Sequence, residues 1–66
     1  MKIEYDKEID AAYIYIEDEI KDGEVSKTIE LNENIIADFD DEGKLLGVEI
    51  LNASRVLKKN VLLEPQ

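Results

Sequence analysis

Apolar residues recur at every second position through several short stretches, and this alternation constrains the fold more than any other feature. Leu46, Val48 and Ile50 mark one such stretch; Val25, Lys27, Ile29 and Leu31 interleave with Ser26, Thr28 and Glu30 in another. A period of two describes a strand with one face buried. Tyr13-Ile14-Tyr15-Ile16 adds the aromatic and β-branched composition that strands favour. Between the stretches lie turn-forming groups: residues 6–10, Asp22-Gly23, Asn32-Glu33-Asn34 and Asp41-Glu42-Gly43-Lys44. The pattern predicts strands near 2–5, 11–17, 24–31, 35–40 and 45–51. Gly47, inside the last of these, marks a bulge or a close backbone approach, with Tyr13 or the helix as the neighbour.

The period changes after residue 51. Asn52 suits a helix cap, and Ala53, Val56 and Leu57 follow at helical spacing. A helix is expected near 53–59, with Arg55, Lys58 and Lys59 toward its C-terminal end, where the helix dipole favours cations. Val61-Leu62-Leu63 falls in the remaining stretch, 60–66, with three places open to it: a sixth strand, a cover over the sheet's second face, or a contact with another subunit. The expected architecture is a single α+β domain, mainly β: a five-stranded antiparallel meander with one short C-terminal helix packed on one face.

Sixty-six residues allow one small core, because a chain of this size buries only ~60% of its unfolded surface. Apolar residues make up 44% of the chain, ordinary for a folded domain. The absence of Cys and His removes disulfides, thiolate sites, the commonest general base and the commonest metal ligand. Seventeen acids against eight bases give a net charge of −9, and sixteen of the acids precede residue 51. Such a chain repels phosphate backbones and anionic lipid, so neither nucleic acid nor membrane is an expected partner. The opening Met1–Asp6 has no apolar run of the kind a signal peptide carries, and a cytoplasmic location is expected.

Alternation also assigns faces. Ala12, Ile14, Ile16, Val25, Ile29, Leu31, Ala37, Phe39, Leu46, Val48 and Ile50 share the face expected under the helix. The opposite parity carries Tyr13, Tyr15, Ile36, Leu45 and Leu51 among Glu17, Thr28, Glu30, Asp38 and Glu49. Tyrosine is amphipathic and frequent at interfaces. This second face is therefore the expected partner surface, with Tyr13 and Tyr15 as anchors and Glu17, Glu30 and Glu49 as steering charges. A second copy of the chain or a small basic protein would fit it. One shape of that role is an acidic module that neutralises a basic partner, as an antitoxin does.

A second constellation is Asp38-x-Asp40-x-Glu42-Gly43-x5-Glu49, which has the spacing of a calcium-binding loop. Such a loop needs flanking helices, whereas strands flank this one. Asp38, Asp40, Glu42 and Glu49 are therefore weak metal candidates, and a metal-binding protein is the second reading. A non-catalytic subunit of a larger complex is the third. No cofactor is expected, and no enzyme, because no pocket or base is available to raise a carboxylate's pKa or activate Ser26, Thr28 or Ser54. A faint echo links Tyr5-Asp6-x-Glu8…Ile14-x-Ile16 to Phe39-Asp40-x-Glu42…Val48-x-Ile50, offset by 34 residues. Two hairpins of similar composition account for it.

Two stretches resemble a known family. Tyr5-Asp6-Lys7-Glu8-Ile9-Asp10-Ala11-Ala12-Tyr13-Ile14 is similar to its Tyr-Asp-x-Glu-x-Asp opening. Residues 36–54, with Asp38-Phe39-Asp40 and Gly43-Lys44-Leu45-Leu46-Gly47-Val48-Glu49-Ile50-Leu51-Asn52-Ala53-Ser54, are similar to its central motif. That family is domain of unknown function 2283, small prokaryotic stand-alone proteins. The resemblance implies no activity and supplies no catalytic residues. Ala12, where Leu is commoner, and the extension at Val61-Leu62-Leu63 are this chain's departures.

Overall fold

In a computed structural model of the chain, residues 1–63 are described. Five strands, β1 (Lys2–Asp6), β2 (Ala11–Tyr15), β3 (Lys27–Glu30), β4 (Ile35–Phe39) and β5 (Leu45–Leu51), form one sheet. Two short helices follow, α1 (Ala53–Val56) and α2 (Lys59–Leu63). Every neighbouring strand pair is antiparallel. The class is α+β and mainly β, as the alternation predicts.

The order across the sheet is β1-β2-β5-β4-β3, which is not a meander. The strand richest in alternating aliphatics, β5, lies at the centre between β2 and β4. Residues 16–26 carry the chain from β2 to the far edge. The 34-residue echo has a spatial counterpart here. Ile14 and Val48 are echo equivalents, and they face each other across the β2–β5 pair. The two hairpins therefore meet about a local pseudo-two-fold. Their turns use the same device: Asp6 Oδ1 accepts the Glu8 N–H, and Asp40 Oδ1 accepts the Glu42 N–H.

One transverse row on the helix side runs Ile3, Ile14, Val48, Ala37, Ile29; the next runs Tyr5, Ala12, Ile50, Ile35. Ala12, Ile50 and Ala53 form the buried cluster, with Val56, Leu57 and Leu62 from the helices packed on it. Small side chains at Ala12 and Ala53 let α1 sit close to the sheet, and Ala53 is wholly buried. Leu62 places the apolar triplet inside α2, over the core; residues 64–66, the rest of that stretch, lie outside the described residues. The single helix expected at 53–59 is broken instead, because Leu57 turns extended at φ −105° and ψ 146°.

Asn52 is not a side-chain cap. It adopts the left-handed conformation at φ 54° and makes no capping bond. The cap comes from Asp10, in the β1–β2 turn. Its carbonyl accepts the Ala53 N–H at 2.9 Å, and its carboxylate accepts the Ser54 N–H at 3.0 Å and the Ser54 hydroxyl at 2.8 Å. Tyr5 Oη adds a fourth bond at 2.7 Å. The hydrogen bonds from Tyr5 and Ser54 hold the Asp10 carboxyl below the ordinary carboxylate range, and the same bond raises the Tyr5 phenol. Neither helix is long and apolar enough to cross a membrane.

Four residues expected in the core lie at its margin. Ile16, Val25, Ile29 and Leu31 are 40%, 39%, 37% and 63% exposed. β2 stops at Tyr15 and β3 spans only Lys27–Glu30, so Ile16, Val25 and Leu31 lie outside the strands, and Ile29, inside β3, has no helix over it. Ile50→Ala is expected to cost about 2–5 kcal/mol of unfolding free energy, as deletions in a closed core do, and Ile16→Ala less than about 1.5. Urea denaturation of both variants checks this; equal losses would contradict the core boundary drawn here.

Candidate functional site: the tyrosine-bearing face

The helices leave the opposite face of the sheet uncovered. Its two central rows read Lys2, Tyr15, Gly47, Asp38, Thr28 and Glu4, Tyr13, Glu49, Ile36, Glu30. Alternation therefore brings Tyr13, Tyr15, Glu30 and Glu49 together as expected. Glu17 stands apart, exposed in the bend beyond β2, where both its N–H and that of Ile16 donate to the Leu46 carbonyl.

Tyr13 spans the middle of this face. Its ring lies over β5 at Gly47, and its hydroxyl donates to Asp38 Oδ2 on β4 at 2.8 Å. The other carboxylate oxygen of Asp38 accepts the Thr28 hydroxyl from β3 at 2.7 Å. Glycine is required beneath the ring, since a Cβ at position 47 would lie 2.6 Å from Tyr13 Cε2 and Cζ. Both expectations for Gly47 are met: the β4–β5 register slips beside it, where Asp38 pairs with Gly47 and Phe39 with Leu45, and Tyr13 is the close neighbour. Burial and the bond to Asp38 raise the Tyr13 phenol far above its ordinary value.

Tyr15 packs edge-on against Tyr13, with ring centroids 4.7 Å apart. Its hydroxyl donates to Glu4 Oε1 at 2.8 Å, which raises its pKa too. Lys2 Nζ sits 4.8 Å from the Tyr15 ring centroid. Lys2, Glu4, Tyr15, Tyr13, Gly47, Asp38 and Thr28 thus link all five strands by side-chain contacts. Glu4 and Lys2 were missed as site residues. Their alternation with Ile3 and Tyr5, which lie in the helix-side rows, turns both to this side. A shallow depression of about 510 Å³ lies at the β1–β2 end, with Glu4, Asp6, Glu8, Tyr13 and Glu49 among its walls.

The calcium-loop residues do not converge. Asp38 is engaged by Tyr13 and Thr28. Asp40 Oδ1 accepts the N–H groups of Glu42 and Lys44 and shapes the turn. Glu42 is exposed at the hairpin tip, and Glu49 lies in the adjacent row, opposite Tyr13 and Ile36. Among the described residues no group of three or more acidic side chains is placed to hold a metal ion.

If the ring of Tyr13 is what demands glycine, the two positions are coupled. Gly47→Ala is expected to cost about 1–3 kcal/mol by overpacking. In a Tyr13→Ser background the same change should cost under about 0.5 kcal/mol. A double-mutant cycle in urea measures this, and equal costs in both backgrounds would contradict the close-approach account.

Residues 2–54 match the family described as protein of unknown function, DUF2283. An uncharacterized protein of Methanocaldococcus jannaschii is 44% identical over 57 residues, which cover 85% of this chain and 44% of that protein. The chain thus spans about half the length of the curated relative it matches. No solved structure matches.

Proposed function

Because the chain belongs to DUF2283, a family of unknown function, its role has to come from its own surfaces, and we propose a non-catalytic acidic interaction module whose tyrosine face receives a basic partner. The observation that carries this reading is the pair Tyr13 and Tyr15, locked edge to face and set among Glu4, Asp38 and Glu49. Ordered aromatic rings provide contact area with little conformational entropy left to lose on binding. The net charge of −9 attracts a basic protein and accelerates encounter. Neutralisation of a small basic protein, in the manner of an antitoxin, is the form of this role that the charge favours.

Tyr15 is the better anchor of the two. Tyr13 is committed to Gly47 and Asp38, whereas Tyr15 is held from the rim by Glu4 and Lys2. The reading as non-catalytic rests on the same bonds, since the carboxylates of Asp10 and Asp38 are both engaged by structural donors. That the Methanocaldococcus relative is nearly twice as long supports a related reading, a module working beside further protein in a larger complex.

The test is capture from a lysate of the native source with the tagged chain and with a Glu30→Lys/Glu49→Lys variant. The expected result is one strongly basic protein at near-equal abundance, reduced about tenfold or more by the charge reversal. Capture that charge reversal leaves unchanged would overturn the reading.

A further inference from the structure

The helix cover stops short of β3. In the row Ile3, Ile14, Val48, Ala37, Ile29, the members on β1, β2 and β5 pack against the helix-capped cluster, while Ile29 on β3 is 37% exposed. Leu31, whose N–H donates to Ile35 O at the end of the next row, is 63% exposed. β3 is also a free sheet edge, exposed at all four positions. Since Leu31 donates inward to β4, alternation turns the N–H and C=O groups of Thr28 and Glu30 outward.

We propose that a second copy of this chain pairs with it edge to edge through β3, making a continuous ten-stranded antiparallel sheet. The sequence of the edge selects the register. A two-fold axis normal to the sheet keeps like faces together, so only residues of the same face can stand opposite each other. Centring on Lys27 or on Glu30 sets like charges face to face, which is destabilising, and centring on Thr28 sets Glu30 and Leu31 against Ser26 and Val25, which precede β3. Centring on Ile29 sets it against the second copy's Ile29. Each Lys27 stem then lies beside the other copy's Leu31, and each Thr28 exchanges backbone hydrogen bonds with the other copy's Glu30. That register covers Ile29 and Leu31, the exposed apolar residues of this edge, with no like-charged pair directly opposed. It also places both tyrosine faces on the same side of the sheet, although the pairing itself does not depend on what those faces bind.

Equilibrium sedimentation of the full chain, in low and in high salt, tests the pairing. The expected mass is twice 7.6 kDa, with tighter association in high salt, because salt screens the repulsion between two chains of charge −9. Leu31→Lys and, separately, Thr28→Pro, which removes an outward N–H at an edge where proline is tolerated, should each weaken the dimer about tenfold or more. Ile9→Lys, at a position 70% exposed in the β1–β2 turn, should leave it intact. Circular dichroism shows whether each variant folds, and Leu31→Lys decides the matter if the proline variant does not. A monomer in high salt would overturn the proposal. So would a dimer that withstands Leu31→Lys, or one that Tyr15→Ser abolishes while Leu31→Lys does not.

Discussion

Asp10 is the joint on which the rest of the structure depends. It stands in the left-handed conformation at φ 53°, a cost that Asp bears more readily than most residues. In that conformation its carbonyl and carboxylate receive the Ala53 N–H, the Ser54 N–H, the Ser54 hydroxyl and the Tyr5 hydroxyl. Four-residue and five-residue helices do not persist alone in water. Held by Asp10, they lay Ala53, Val56, Leu57 and Leu62 over Ala12 and Ile50 and close a core the sheet alone would leave open. Tyr5, Asp10 and Ser54 lie in the two stretches that carry the family resemblance, and their work in this chain is mechanical.

With one face closed by that joint, the helices leave the opposite face uncovered, and it is braced from within. Tyr13 crosses a glycine on the central strand to reach Asp38, and Asp38 reaches Thr28 on the edge. Tyr15 ties back to Glu4 on the other edge. The acids of the chain therefore divide by task. Asp6, Asp10, Asp38 and Asp40 satisfy donors in turns, helix end and brace, while Glu30 and Glu49 bring charge to the tyrosine face.

Alternation made the strands and their faces legible, down to the shared side of Tyr13, Tyr15, Glu30 and Glu49. It is a local signal, and strand order is not. The central place of β5 depends on pairing between Ile14 and Val48, and the only trace of it in the sequence was the echo that relates those two positions. The helix starts at Ala53 as expected, but the source of its cap was hidden for a similar reason. Asn52 has the composition of a cap, but the groups that do the capping come from Asp10, 44 residues away on Ser54's side of the bond. Ile16, Val25, Ile29 and Leu31 have core periodicity, yet the helices are too short to reach β3, β2 ends before Ile16 and β3 begins only after Val25. Periodicity says which way a side chain points; it does not say whether anything covers it.

Residue-by-residue amide hydrogen exchange, on the native chain and on Asp10→Ala, tests the joint most directly. The Ala53 and Ser54 amides should exchange as slowly as those of the central strand β5 in the native chain. In Asp10→Ala they should lose protection together with the rest of α1, while amides in the β3–β4 pair keep theirs. Fast exchange at Ala53 and Ser54 in the native chain, or protection there that Asp10→Ala does not change, would contradict the account.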